Sequence, residues 1–339
     1  MTLLLAPRFD HLLAMTDDFG TFEHACFAEP RPEHGYCTDD MARVLVVASR
    51  EREPSPAVQW LIRLALQFLQ SAQATDGAYR NRMDAAGEWT DQPTVEDCWG
   101  RSIWGLGTAA ARSELTGVRE SALAQFERAV QRRSPWPRAM AFAAVGAAEV
   151  LDVIPDHQAA RCLLADYAGT ANQPETEPDW PWPEPRLRYA NAVLAEARIV
   201  AGRALGQPVL LQHGLRMLEW LIEDQTAAGH LSPSPVAGRG LGDMRPAYDQ
   251  QPIEVSSLAD ACARAMDVNP REIWSNGLKA AVAWFEGDND IGQPMWDPAS
   301  GGGFDGLHAD GVNANQGAES TLALLSTLQH AQRLMLAAQ

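Results

Sequence analysis

Ala265-Met-Asp-Val-Asn-Pro-Arg-Glu-Ile-Trp274 joins two stretches, 252–268 and 271–287, whose apolar residues recur at three- and four-residue steps. That spacing marks helices with one buried face, and the Asn269-Pro270 pair is a break between them. So short a joint turns the second helix back along the first. The second helix then ends in Trp284-Phe-Glu-Gly-Asp-Asn-Asp-Ile-Gly292, acidic and amide residues with a glycine. A long irregular segment, 288–316, separates it from the next periodic stretch.

Outward from this hairpin the same alternation continues. The periodicity predicts helices at 7–18, 39–51, 56–73, 97–114, 116–134, 136–154, 157–173, 189–205, 208–226, 252–268, 271–287 and 317–338. Short joints fall at Glu53–Ser55, Leu115, Pro155–Asp156, Gly206–Gln207 and Asn269–Pro270. Long ones fall at 19–38, 74–96, 174–188, 227–251 and 288–316, with a tight exception at Ser134-Pro135. A weak repeat supports the pattern, since Phe68-Leu-Gln-Ser-Ala-Gln-Ala-Thr-Asp-Gly77 and Leu221-Ile-Glu-Asp-Gln-Thr-Ala-Ala-Gly229 end their helices as Trp284–Gly292 does. Alternating strand patterns are nearly absent; the best candidate is a hairpin across Ala78–Met83 and Gly87–Thr90, turned by Asp84–Gly87. If the first helix packs against the last, six hairpins result.

With these joints and helix ends the chain resembles the (α/α)6 toroids, barrels of six helical hairpins found in many carbohydrate-active enzymes. The resemblance covers nearly the whole chain and implies one all-α domain over 1–339. Alternating joints also fit an open solenoid of helix pairs; the closed ring is the expectation carried forward.

Composition narrows the partners. The 339 residues are 46% hydrophobic, enough for a full core, and 44 acidic against 27 basic side chains give a net charge of −17. That balance argues against nucleic acid, whose phosphates need a basic face, and against anionic membranes. Met1–Arg8 has neither the charged start nor the long apolar run of a signal peptide, and no segment reaches a spanning length. Five scattered cysteines form no CxxC and no zinc spacing. Reduced thiols in a cytoplasmic protein are expected, with a Cys26–Cys37 disulfide as a lesser alternative. Neither a cofactor nor a catalytic metal is indicated.

In a ring of hairpins the long loops precede the inner helices, so the inner helix starts share one rim. These starts read Thr38-Asp-Asp-Met-Ala-Arg43, Val95-Glu-Asp-Cys-Trp-Gly-Arg101, Trp136-Pro-Arg138, Arg188-Tyr-Ala-Asn191, Pro252-Ile-Glu254 and Gln316-Gly-Ala-Glu319. Acids at helix starts are favoured by capping and the helix dipole alone. Here aromatics (Tyr36, Trp99, Trp136, Trp182, Tyr189) and amides (Asn191, Gln250, Gln251, Asn315, Gln316) join them, as a sugar with apolar faces and a hydroxyl belt requires. Asp39, Glu96, Asp249, Asp305 and Glu319 complete the expected binding set, with Arg43 and Arg101 about one turn inside acidic starts.

Three strings sharpen the resemblance. His34-Gly-Tyr-Cys-Thr-Asp-Asp-Met-Ala-Arg43 looks like a motif of bacterial toroid proteins found beside glycosyltransferases and often labelled as such, with Met41 where that pattern has Asn. Tyr248-Asp-Gln-Gln-Pro-Ile-Glu254 and Gly311-Val-Asn-Ala-Asn-Gln-Gly-Ala-Glu-Ser-Thr321 look like its later signatures. The two α/β nucleotide-binding lobes of a glycosyltransferase are missing.

Ring geometry suggests a mechanism. The second inner helix faces the fifth, so Asp97 or Glu96 opposes Glu254, while Asp40 and Glu319 are neighbours. Inverting glycoside hydrolysis uses an acid and a base about 6.5–9.5 Å apart with water between. The expected roles are Glu254 as general acid, Asp97 or Asp40 as base, and Arg43 or Arg101 as partner of the base, acting on an oligosaccharide or glycan. The loop histidines His34, His230 and His308 leave room for an epimerase or isomerase. A non-catalytic glycan-binding protein is the third reading. Ser300-Gly-Gly-Gly-Phe304 follows no strand and lacks a Walker lysine, so it reads as a flexible loop turn.

Overall fold

The computed structural model describes residues 6–171 and 179–337. The opening residues 1–5, positions 174–178 of one long joint, and the last residues of the helices expected to end at 173 and 338 lie outside the described residues. Among the described residues there are twelve α-helices: α1 (Asp10–Ala14), α2 (Thr38–Ser49), α3 (Pro56–Ala72), α4 (Asp97–Arg112), α5 (Thr116–Ala129), α6 (Pro137–Val153), α7 (Gln158–Ala171), α8 (Ala192–Ala204), α9 (Pro208–Gln225), α10 (Pro252–Val268), α11 (Glu272–Glu286) and α12 (Ala318–Ala337). Proline begins α3, α6, α9 and α10, at the helical position where a missing N–H costs no internal bond. Ser55 caps α3 by accepting from the Val58 N–H, and Gly287, at φ 104°, closes α11 in the left-handed conformation.

The even-numbered helices pack each against the next, and α12 packs back on α2. The ring is therefore closed. Helices α3, α5, α7, α9 and α11 lie outside against their hairpin partners, and α1 fills the sixth outer place against α12. Burial follows this placement. Helix α6 is buried without a break from Arg138 to Leu151, whereas α5 buries only a stripe of Val118, Ala122, Gln125, Phe126 and Ala129. Between α4 and α6 the backbones touch: a Cβ on Gly107 would fall 2.1 Å from the Gly146 carbonyl oxygen, so neither glycine can carry a side chain unless the helices spread.

The departures from expectation are local. Helix α1 is shorter than 7–18 because the Asp17 carboxylate takes the Phe19 and Gly20 N–H groups and turns the chain. Helix α5 stops at Ala129, whose carbonyl is taken by the Trp99 indole. Helix α8 starts at Ala192 rather than 189 because residues 188–191 are held out of the helix, with Ala190 at φ 45°. The Asp84–Gly87 turn forms and Met83 bridges Trp89, but the strand Arg82–Met83 pairs instead with Tyr36–Cys37. Three further two-stranded ribbons stiffen the loops: Ala25–Cys26 with Glu29–Pro30, Arg186–Leu187 with Arg239–Gly240, and Gly306–His308 with Gly311–Asn313. All five cysteines are free, Cys26 and Cys37 included. No helix among the described residues is long and apolar enough to cross a membrane.

Candidate functional site

The starts of the inner helices are wired to one another by arginines. Asp40 is buried; its Oδ1 accepts from Arg43 Nη1 at 2.5 Å and its Oδ2 from the Cys37 thiol at 3.1 Å. Arg43 Nη2 donates to Glu319 Oε2 on α12, also at 2.5 Å. Asp40 and Glu319 are thus neighbours through a shared guanidinium. Burial pushes Asp40 up to about 6, with Arg43 opposing the rise and Glu319 adding to it. On the next pair of helices Arg101 lies between Asp39, at 3.4 Å, and Asp97, at 3.5 Å, with its guanidinium 4.9 Å from the Phe142 ring centroid.

Residues 188–191 form a strap between these acids and α10. Burial, with the Asp97 carboxylate close by, raises the Tyr189 phenol. Arg138, buried at the start of α6, holds the strap from the side: Nε donates to the Tyr189 carbonyl at 2.6 Å, and the guanidinium lies 4.7 Å from the Tyr189 ring centroid. Its two Nη atoms grip Glu184 at 2.8 Å each, a bidentate pair. From the other side, Glu254 accepts from the Ala190 N–H, from Asn191 Nδ2 at 2.7 Å and from the Asn191 N–H at 3.3 Å. These bonds hold Ala190 in a left-handed conformation that costs a non-glycine residue about 1 kcal/mol. Burial pushes Glu254 up to about 7 against the Asn191 and Ala190 donors. A carboxylate offers about four lone-pair sites; the three N–H donors leave one for a proton.

Outside the strap lies a groove of about 290 Å³ lined by Glu96, Asp97, Trp136, Arg138, Glu184 and Tyr189. Trp136 is 54% exposed and Tyr189 42%, so both present open aromatic faces. Inside the strap, Ala190 lines a narrow axial cavity with Arg43, Trp104, Phe142, Glu196 and Asp260, with about 20 Å³ of free space, room for a single water. Arg43 Nε, Trp104 Nε1 and Ser257 Oγ border this cavity without a hydrogen-bond partner.

Several expected binding residues belong to the framework instead. Tyr36 is buried, stacked on Phe22 at 4.9 Å, and donates to Asp17 at 2.7 Å. Trp99 is fully buried with its N–H on Ala129, and Trp182 packs against Trp220 at 5.8 Å. Gln250 is buried and donates to Asp290 at 2.6 Å; the Gln316 amide lies between Ser300 and Asp297; Asn315 accepts from the Phe27 N–H at 2.9 Å. None of these six lines the groove. Trp99, Asn315 and Gln250 satisfy backbone groups that the folded loops bury, while Tyr36 and Gln316 tie loop side chains together and Trp182 packs.

Asp305 likewise accepts from the Gly317 N–H at 2.9 Å, and burial raises its carboxyl. Asp249, 3.9 Å from His308, is also raised by burial, and Gln251 is the half-buried N-cap residue of α10. Glu184 was not anticipated. It sits between Pro183 and Pro185 in an aperiodic loop, and only those two prolines hint at a fixed backbone there.

Glu23, Cys37 and Asp40 bring three potential metal-ligand atoms within 4.8 Å of one another. Arg82 already pairs with Glu23 and Arg43 with Asp40, and burial pushes the Cys37 thiol well above its ordinary value. A neutralised trio with a protonated thiol is a poor donor set for a cation.

No protein-family model matches the sequence, and no curated protein matches it significantly. Solved structures do. The cellobiose 2-epimerase of Bacillus thermoamylovorans superposes with a TM-score of 0.71 over 96% of each chain at 11% identity. A cellulase of C. cellulolyticum gives 0.59 over 93% of this chain and 87% of its own, at 8% identity. The GH76 alpha-mannanase of Bacteroides thetaiotaomicron gives 0.53 over 89% and 88%, at 10% identity. At such identities the likeness concerns the fold. The chain is an (α/α)6 toroid, the architecture these sugar-acting enzymes share.

Proposed function

We propose that the chain is a carbohydrate-active enzyme that hydrolyses an oligosaccharide or glycan, with inversion, at the groove outside the 188–191 strap. One observation carries the reading: the groove sets two open aromatic faces, Trp136 and Tyr189, beside the Asp97 carboxylate, and the same strap anchors the buried Glu254. Sugar rings stack on aromatic faces while carboxylates and Arg138 take hydroxyls. Glu254, pushed up to about 7 behind the strap, is the assigned proton donor to the leaving oxygen, which it reaches only when the strap parts because it does not line the groove. Asp97, charge-compensated by Arg101 and accessible from the groove, orients the water. Two carboxyls in unlike surroundings are the arrangement that divides acid from base. Asp40, also raised and joined to Glu319 through Arg43, is the alternative base.

The test is release of reducing ends from a glycan panel, with the anomer of the first product followed by NMR. Hydrolysis by the wild type, lost in Glu254→Gln and Asp97→Asn, is expected; full turnover by either variant defeats the assignment. An epimerase is the second reading, favoured by the His24 and His34 rings, which meet edge to face at 4.8 Å on the loop before α2. It would show itself as solvent deuterium entering a sugar without cleavage. Glycan binding that survives both substitutions, without turnover, would make the chain a binding protein.

A further inference from the structure

The 188–191 strap separates two spaces that differ in how their polar groups are satisfied. Outside it, Arg138 grips Glu184 and Arg101 stands beside Asp97. Inside it, the axial cavity is bordered by Arg43 Nε, Trp104 Nε1 and Ser257 Oγ, none of which has a hydrogen-bond partner. Their residues are 5%, 8% and 8% exposed, so bulk water does not serve them. They come from α2, α4 and α10, three different inner helices, and converge on one space. A buried polar group left without a partner is costly, and three around one cavity call for a ligand with several oxygens.

The walls decide the class of that ligand. Val47, Phe142, Val193, Ile253 and Leu322 give the cavity apolar sides. The indole N–H and the arginine Nε–H can only donate, so they need acceptor oxygens, whereas the serine hydroxyl does either. An anion is disfavoured, because Asp260 and Glu196 border the same space and Arg43 already holds Asp40 and Glu319. A purely apolar ligand would leave the three polar groups unfilled. A neutral polyol with apolar faces, which is a sugar ring, meets both demands.

With the strap in place the free space is about 20 Å³, room for a single water and far too little for a ring. The strap itself stands in the way. Ala190 borders the cavity, while Arg188 and Tyr189 border the groove on the other side. Its ends are fixed in the strand Arg186–Leu187 and in α8, and its middle hangs on Glu254 and on Arg138 Nε. Ala190, at φ 45°, is a strained residue at that middle, and parting the strap releases it.

We propose that the strap is a gate, and that the axial cavity receives the terminal sugar ring of a chain whose remainder lies in the groove. The proposal rests on the hydrolase reading and sharpens it. The scissile bond crosses the line of the strap, between Asp97 outside and Glu254 inside, so the enzyme works from chain ends. Water adds to the anomeric carbon as its bond to the bridging oxygen breaks; Asp97 takes a proton from that water, and Glu254 supplies one to the departing oxygen. One monosaccharide leaves per turnover. Arg43 Nε, Trp104 Nε1 and Ser257 Oγ bind its hydroxyls.

The experiment has a binding arm and a turnover arm. In the first, the full chain is titrated with glucose, mannose, galactose and N-acetylglucosamine while tryptophan fluorescence is followed. At least one sugar should give a saturable change that Trp104→Phe loses. Ser257→Ala should bind that sugar about three- to tenfold more weakly, the weight of one hydrogen bond. It should melt no lower than the wild type, because the hydroxyl it loses has no partner in the free chain. A merely structural serine would do the reverse, with lower melting and unchanged binding. In the second arm, the early products of a linear glycan are separated. Monosaccharide alone is expected, and the same glycan closed into a ring should resist. Early release of longer fragments, cleavage of the closed ring at the linear rate, or no saturable Trp104-dependent signal up to about 50 mM overturns the proposal. Sugar binding without hydrolysis of any glycan defeats the hydrolase reading instead and leaves the gated sugar site standing.

Discussion

The two ends of the ring are built from the same six inner helices and treat charge in opposite ways. At the groove end, Asp39, Asp97 and Glu319 are partly exposed and share Arg101 and Arg43, and Asp97 borders the groove with its open aromatic faces. At the far end, Glu149, Glu196 and Asp260 are almost fully buried with Arg50, Arg112 and Arg264. Helix dipoles favour acids at the starts and arginines at the finishes, yet both ends mix the signs, with Arg43, Arg101 and Arg138 near the starts and Glu149 and Asp260 at the far end. Dipoles do not account for the difference in burial. Charges that water reaches freely are open to a ligand; charges paired deep in the ring hold it together.

Substitutions that damage one end and spare the other test the contrast. Asp97→Asn should lower kcat for glycan cleavage by about 10²–10⁴-fold, the range of a lost general base, with the melting curve unchanged. Arg264→Met should do the reverse. Leaving Glu149 and Glu196 without it costs about 3–5 kcal/mol by denaturant unfolding, while the molecules still folded keep their cleavage rate.

A smaller effect joins the two ends. Glu254 and Glu196 both hold protons in the folded chain, at about 7 and about 8, that the unfolded chain has released. Their contribution is present at low pH and lost as pH rises through those values, so stability should fall by about 2 kcal/mol between about pH 6.5 and 8. Asp260 and His330, at about 2 and about 4, have the opposite sign; Asp260 finishes below that window, and the unfolded imidazole of His330, at 6.5, offsets the fall slightly at its lower edge. Urea unfolding of Glu196→Gln and Glu254→Gln should each flatten part of the slope. Smallest of all, Trp136→Ala at the exposed groove wall should raise KM about three- to tenfold, the weight of one aromatic contact, with kcat and stability unmoved.

The ring was legible in the sequence because joint length and apolar period are local signals: a two-residue break at Asn269–Pro270 can only fold back. Glu96 and Asp97 in the groove were legible for the same reason, since they stand at the start of an inner helix, whereas Glu184 comes from an aperiodic loop and was not. Which aromatics and amides face a ligand was not legible either. Trp99 and Trp136 both belong to helix starts, yet one is fully buried against α5 and the other open. That choice depends on which loop carbonyl needs a donor, a non-local fact. Glu196 and Asp260 were missed because nothing in the helical pattern distinguishes an acid turned to the axis from one turned to solvent; only ring closure makes them meet.

That closure has a kinetic side. Five of the six hairpins join helices that are neighbours in sequence, but the sixth sets the short α1, Asp10–Ala14, against α12, with His11 Nε2 bonded to the Gln316 carbonyl at 2.8 Å. Its partners lie 305 positions apart, so an arc of five local hairpins can assemble rapidly while the seam awaits the longest loop in the molecule. Until then the inner edges of α2 and α12 stand open to any second arc with the same unpaired faces. The chain is therefore most at risk of swapping or aggregating late in folding, and the helix that prevents it is only five residues long.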